Sequence, residues 1–199
     1  MKYFDIDGNI EFEGEYLNGE ENGIIKEYFG GRLGFENEYI KGKRNGKGKE
    51  YNDEGILIYE GEYSNDLKNG KGKEFDSHNG LLIFEGEFLN GLKNSGIIKE
   101  YNNNGILIFE GAYLNGIKDG KGKEYDDNGK LIFEGDYYKE RKKGKEYDSQ
   151  GRLIYEGQYN QGKKNGEGKE YNYKDNSIFE GYFLDGEKAG KGNCFLMEN

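Results

Sequence analysis

In a chain of 199 residues, 33% hydrophobic and 34% charged side chains with a mean hydropathy of −1.08 leave too little apolar material for a thick ordinary core. A net charge of −10 opposes the basic stripe expected of a nucleic-acid binder. Disorder is the reading that such a composition invites, but 15% of the residues are aromatic and they recur at fixed positions.

From the N-terminus, "FEGEY" at 12–16 returns as "FENEY" at 35, "YEGEY" at 59, "FEGEF" at 84, "FEGAY" at 109, "FEGDY" at 133, "YEGQY" at 155 and "FEGYF" at 179. The centres of these eight copies, Gly14, Asn37, Gly61, Gly86, Gly111, Gly135, Gly157 and Gly181, are 22 to 25 residues apart. A second phrase follows each, as in "GIIKEY" ending at Tyr28, "GKGKEY" at Tyr51 and Tyr125, and "GKGNCF" at Phe195. A fixed period of this length predicts stacked units in place of a globule, and residues 1–199 are expected to form a single array of about eight.

Each unit reads as two strands. In "LIFEGDY", Leu131, Phe133, Gly135 and Tyr137 fall on one face and Ile132, Glu134 and Asp136 on the other. Asn-Gly and Asp-Gly in "LNGEENG" and "LNGIKDG" supply hairpin turns, and "NDEG", "NNNG" or "DSQG" turn the chain back after the second strand. Length changes fall in these connections. The aromatic of "FEGEY" lies 12 residues before that of "KEY" in six units, 13 in the unit with Ser95 and 10 in the unit with "YKERKKG". His78, the only histidine, sits in the turn "DSHNG", which favours a surface position over a catalytic or metal role.

A glycine inside a strand weakens it, so the central Gly needs a steric reason: between two aromatics it leaves room for a ring from a neighbouring strand. Aromatics interleaved over glycines would bury a thin, one-sided core. The expected fold is all-β, an elongated and twisted single-layer antiparallel sheet of about eight tandem hairpins, roughly 75 Å long at about 4.8 Å per strand. The charge switch from Glu to Lys along each unit then places Glu60 and Glu62 across from the region of Lys71 and Lys73, where opposite charges favour register and solubility. No Glu pair is distinguished from its repeats as a catalytic acid and base would be.

The pattern "Y/F-E-G-E-Y-x-N-G-x-x-N-G-x-G" resembles the MORN (membrane occupation and recognition nexus) repeat over residues 3 to 196. The resemblance implies hairpins in one antiparallel sheet, used for scaffolding, self-association or docking of a partner in an aromatic-lined groove, in cytoskeletal, ciliary and membrane-contact assemblies. This chain departs from the family in having no Trp, in Asn37 for the central Gly, and in "GII" for "GKG" at Gly23 and Gly96; those units should pack less typically. The aromatics of "KEY" (Tyr51, Phe75, Tyr125, Tyr171) fall on the opposite strand face unless a bulge intervenes, so whether they line the groove or cover its back stays open.

Three classes of function follow. In the first, a non-enzymatic scaffold binds a protein partner or itself through Tyr16, Tyr39, Tyr63, Phe88, Tyr113, Tyr137, Tyr159 and Phe183, without a cofactor. The alternative is peripheral binding to acidic phospholipid (phosphoinositide) through the basic runs Lys41, Lys43, Arg44, Lys47, Lys49 and Lys139, Arg141, Lys142, Lys143. Catalysis is the third, and "GKGKE" lacks the spacing and Ser/Thr of a phosphate loop while Cys194 stands alone. No apolar run approaches a membrane span, which places the protein in the cytoplasm, with cytoskeletal or ciliary association implied by the resemblance. Phe195, Leu196 and Met197, less polar than most termini, are the expected contact of a homodimer.

Overall fold

The computed structural model describes residues 1–197 and holds strands and turns without a helix among them. The strands are β1 (Lys2–Phe4), β2 (Ile10–Glu13), β3 (Tyr16–Leu17), β4 (Glu20–Glu21), β5 (Gly23–Phe29), β6 (Arg32–Ile40), β7 (Lys43–Tyr51), β8 (Leu57–Ser64), β9 (Leu67–Phe75) and β10 (Leu82–Leu89). They continue as β11 (Leu92–Tyr101), β12 (Leu107–Leu114), β13 (Ile117–Tyr125), β14 (Leu131–Tyr138), β15 (Arg141–Tyr147), β16 (Leu153–Asn160), β17 (Lys163–Asn172), β18 (Ser177–Leu184) and β19 (Glu187–Leu196). The chain divides into two compact units, Met1–Ile97 and Ile98–Asn199.

In the first unit, β1–β2, β2–β5 and then each consecutive pair from β5 to β10 are antiparallel. In the second, each consecutive pair from β12 to β19 is antiparallel. The expected all-β array of antiparallel hairpins is what forms. Its first copy is broken: the Gly14 N–H bonds the Met1 carbonyl and Asn22 N–H bonds the Glu15 carbonyl, so the "FEGEY" strand stops at Glu13 and resumes as the separate ribbon β3–β4.

The turns separate two glycine dipeptides that look alike in sequence. At Asn18-Gly19, Asn90-Gly91 and Asn115-Gly116 both residues have positive φ, the signature of the two-residue hairpin turn that matches strand twist. The second dipeptide, Asn69-Gly70 for example, lies inside the strand. There Gly61 faces Gly72 while Tyr63 faces Lys68, so a two-residue step on β8 is met by four residues on β9. Gly70, at φ +100°, takes up the bulge, and the Glu62 carboxylate accepts the freed Lys71 N–H at 2.9 Å. In β14–β15 the bulge is gone, because the connection is two residues shorter.

Glycine opposes glycine across the pairs, as at 61–72, 122–135, 144–157 and 168–181. A methyl group on Gly72 would meet both the Tyr59 and the Phe88 rings at 3.0 Å or less, so the glycine row is the floor on which the rings lie. In the second unit the rings form an unbroken edge-to-face series, Phe109, Tyr137, Phe133, Tyr159, Tyr155, Phe183 and Phe179, with centroids 5.1 to 5.8 Å apart. In the first, Tyr63, Tyr59, Phe88 and Phe84 do the same. Each such contact contributes about 0.5–1.5 kcal/mol beyond area burial. That exceeds the ~0.2–1 kcal/mol of an exposed ion pair, so this face holds each unit together.

Where the glycine is replaced, packing changes as the sequence predicts. Asn37, 1% exposed, stands in the floor with a carboxamide that finds no hydrogen-bond partner among the described residues. Ile25 takes the place of the facing glycine and is itself buried.

Candidate functional site

One face of each hairpin carries the ring ladder. Above it lies a layer of charge drawn from the second strand: Lys68 Nζ sits 4.0 Å over the Tyr59 ring, Lys118 3.5 Å over Phe109 and Lys142 3.9 Å over Phe133. The Glu of "KEY" ties these lysines to the tyrosines of the next copy. Tyr63 Oη donates to Glu50 Oε1 at 2.6 Å while Lys68 reaches the other oxygen at 2.8 Å; Tyr137 donates to Glu124 at 2.8 Å beside Lys142 at 2.7 Å. Tyr159 donates to Glu146 and Tyr39 to Glu27 in the same way, whereas Tyr16 of the broken first copy donates to Glu21 within its own ribbon β3–β4. Where Phe replaces that Tyr, the carboxylate turns to lysines: Glu74 to Lys93, and Glu170 to Lys164 and Lys188.

The expected partner-binding aromatics thus sit under this layer. Tyr63, Phe88, Tyr137, Tyr159 and Phe183 are buried; Tyr16, Tyr39 and Tyr113 are half-buried. Burial, and then the hydrogen bond to a carboxylate, push the hydroxyls of Tyr63, Tyr137 and Tyr159 well above the ordinary tyrosine range, and burial pushes Tyr155 up to about 12.

The opposite face has a different make-up. Glu60 faces Lys73 and Lys49, Glu62 faces Lys47, and Glu87 faces Lys71, so acidic and basic strands alternate, as the sequence predicts for Glu60 and Glu62. The "KEY" aromatics lie on this side: Tyr125 Oη donates to Glu110 at 2.9 Å and Tyr147 Oη to Glu134 at 2.7 Å. The offset noted in the sequence is real, and the extra residue sits on the facing strand, where Glu124 meets Phe133 but Tyr125 meets Leu131, leaving Ile132 over.

In the first unit this face opens into a cleft of about 710 Å³. Its walls are Glu36, Glu38, Glu60, Glu62, Glu85 and Glu87 with Lys47, Lys49, Lys71 and Lys73, its floor the backs of Gly48, Gly61, Gly72 and Gly86, and Ile24 stands at one end. Leu67, Leu89 and Leu92, at the hairpin ends of β9, β10 and β11, are exposed. In the second unit the same face has a larger hollow of about 950 Å³, with Glu156, Glu180 and Lys169 over Gly157, Gly168 and Gly181, and one of about 600 Å³ that holds exposed Tyr138 and Tyr182 with Arg141 and Lys143. Sequence reasoning passed over this face because its charges were read as register and solubility alone; the signal was the strict alternation of acidic and basic strands.

Of the basic runs, Lys41, Lys43, Lys47, Lys49, Lys139, Arg141 and Lys143 are exposed. Arg44 is engaged by Glu50 and Asp66, and Lys142 by Glu124. Phe195 and Leu196 are exposed on β19, which pairs with β18 only among the described strands of its unit, and Met197 N–H bonds the Asn176 carbonyl. His78 is exposed in its turn and its N–H bonds Asp76.

Tandem antiparallel hairpins with rings over a glycine floor define an all-β repeat protein. The MORN repeat family matches residues 38–55, 59–79, 84–95, 109–130, 155–175 and 179–195, and the chain belongs to that family. Its repeats are generally protein- or membrane-interaction repeats, and the fold is typically non-enzymatic. The two copies outside these matches are the broken first one around Gly14 and the unbulged one around Gly135. No curated protein matches the chain.

Proposed function

We propose that this protein is a non-enzymatic docking module that holds a protein partner on its glutamate–lysine face, chiefly in the cleft of the first unit. The observation that carries this reading is the contrast between faces: the rings are covered by their own Lys–Glu–Tyr layer, whereas the cleft stands open, with Gly61 and Gly86 of its floor partly exposed. An open, shaped concavity with convergent polar groups is the default binding surface of a folded chain.

Charge reversal separates this reading from docking on the rings. Glu60→Lys with Glu85→Lys, both on the rim, should dissociate a co-purifying partner while leaving the fold intact by circular dichroism. The double substitution Tyr63→Phe and Tyr159→Phe, which alters only the covered hydroxyls, should leave the complex in place. Loss of the partner in the tyrosine variant alone would overturn the assignment.

Acidic lipid is the second reading, favoured by one hairpin end where Tyr138, Lys139 and Arg141 stand exposed together. Sedimentation with phosphoinositide vesicles that Lys139→Glu with Arg141→Glu abolishes would support it. Equal sedimentation of the variant would count against it.

A further inference from the structure

Across the cleft of the first unit the strands meet in one row: Ile24, Glu38, Lys47, Glu62, Lys71, Glu87. Ile24 is paired with Glu38, Lys47 with Glu62, and Lys71 with Glu87. The remaining steps are closed by the Glu38 and Glu62 carboxylates, which accept the Lys47 and Lys71 N–H groups at 3.0 and 2.9 Å. Among the described residues, no ion pair engages the side chains of Lys47, Lys71 or Glu87, and all three are exposed. With neighbouring strands about 4.8 Å apart, the three carboxylates recur every ~9.6 Å with an ammonium group midway.

That spacing selects a ligand geometry. Seven residues of an α-helix advance about 10.5 Å, and three or four advance about 4.5–6 Å, close to the two-strand and one-strand steps of the row. An extended chain presents same-side residues every ~6.6–6.8 Å and loses register after one step. Ile24 at the end of the row, and exposed Leu67, Leu89 and Leu92, which strand alternation puts on the same face as the row, next in sequence to Lys68, Phe88 and Lys93 of the ring side, offer apolar contacts of the kind an amphipathic helix seeks. Six Glu against four Lys in the cleft, on a chain of net charge −10, favour a ligand of net positive charge.

We propose that the cleft of the first unit seats one amphipathic, net basic α-helix of a partner protein, laid across the strands. Its Lys or Arg side chains, seven residues apart, meet Glu38, Glu62 and Glu87; its carboxylates, midway between, meet Lys47 and Lys71; and its apolar stripe covers Leu67, Leu89 and Leu92. The inference rests on the docking reading above and deepens it. The second unit does not offer the same seat, since its acidic positions read Ala112, Asp136, Gln158 and Tyr182.

The test uses the full chain and labelled peptides of about 24 residues, followed by fluorescence anisotropy at about 150 mM salt. One peptide is a helix with Lys every seven residues, Glu midway and Leu on the flank. A second has the same composition with Lys every five residues, and a third carries two central prolines. The heptad peptide should bind at least about tenfold more tightly than either control. It should lose about tenfold on Glu38→Gln with Glu62→Gln and Glu87→Gln, the scale of three partly exposed ion pairs removed together. Gln retains an acceptor for the bulge N–H groups, and Gln158 already lies against Gly166 as Glu62 lies against Gly70, so the triple variant is expected to fold. Asp136→Asn should leave the affinity unchanged. Equal binding of the heptad and control peptides, or an unaffected triple variant, overturns the helix. A natural partner crosslinked to the cleft as an extended segment also overturns the helix but leaves the docking reading standing; a partner crosslinked only on the ring side removes both.

Discussion

The hairpins β8–β9 and β14–β15 are made of nearly the same phrases and differ by two residues. In the first, the step from Gly61 to Tyr63 is met by the four-residue step from Lys68 to Gly72; in the second, Gly135 to Tyr137 is met by Lys142 to Gly144, two against two. Both nevertheless bury their aromatics and set a lysine over the ring, Lys68 over Tyr59 and Lys142 over Phe133. These two hairpins share an even step and not its length; the hairpin with Ser95, one residue longer, absorbs an odd change and still sets Lys93 over Phe84 and against Glu74. An even change keeps every side chain on its face, whereas an odd one that no bulge absorbs exchanges the ring side with the charged side.

The largest expected effect breaks that parity. Deletion of Gly70 alone removes the residue that takes up the bulge and should turn Lys68 away from Glu50, which keeps Arg44 and the Tyr63 hydroxyl, at a cost of about 1.5–3 kcal/mol, the scale of one charge-assisted hydrogen bond. Deletion of Asn69 and Gly70 together converts the hairpin to the β14–β15 form and should cost within about 1 kcal/mol. Urea unfolding of the two variants reads the difference, and equal losses would refute the parity argument.

Next in size is the glycine floor, which the two hairpins share. A methyl group on Gly61 would fall 2.7 Å from the Gly72 Cα and the Lys71 carbonyl oxygen, and one on Gly135 only 2.7 Å from the Gly144 Cα and closer still to the Lys143 carbonyl oxygen. Backbone cannot move aside as a ring can, so Gly61→Ala and Gly135→Ala should each cost about 1–3 kcal/mol by overpacking. Gly135→Ala is the worse of the two if contact distance governs the penalty, which denaturation midpoints will rank.

Alkaline pH sharpens the comparison at the tyrosines. Burial raises Tyr155 to about 12; burial and a hydrogen bond to a carboxylate do the same for Tyr125 and Tyr147. An unfolded tyrosine titrates near 10, so the unfolded chain releases protons that the folded one retains. The stabilisation is complete below about pH 10 and is lost as pH rises through about 12. Tyrosinate absorbance should lag behind free tyrosine and then rise together with the loss of the circular dichroism signal. Tyr63→Phe with Tyr137→Phe should make that loss shallower, since Phe cannot ionise; an unchanged profile would contradict the assignment.

The smallest effect concerns the bulge cap. Glu62→Ala strips the acceptor from the Lys71 N–H and should cost about 0.5–1.5 kcal/mol. Asp136→Ala, in the hairpin without a bulge, should fall within about 0.5 kcal/mol. Amide exchange at Lys71 reports the first locally, and unchanged protection there would dismiss the cap.

Most of this architecture was legible in the repeats. The period placed the strands, the indels placed the turns, and the central glycine implied the ring stack. The bulge itself was not legible, because Asn69-Gly70 and Asn90-Gly91 carry similar signals and only pairing decides which one turns the chain. The side of the sheet on which the rings are covered was equally hidden. Aromatic residues suggest a sticky groove, but Lys68, Lys118 and Lys142 fold back over the rings, a contact that depends on register across strands. The alternating charges of Glu36, Lys49, Glu60, Lys73 and Glu85 were plain to see, yet their meaning as a cleft wall required the glycine floor beneath them.

The central claim is that a partner meets the glutamate–lysine face and not the ring face. The most direct measurement places the same photoreactive amino acid at Glu60 in one variant and at Lys68 in another, one on either side of a single hairpin, and identifies adducts formed in the native cell. Adducts to one defined protein from position 60, absent from position 68, are the predicted result. The same adduct from position 68 alone would contradict the account and return the ring face as the docking surface.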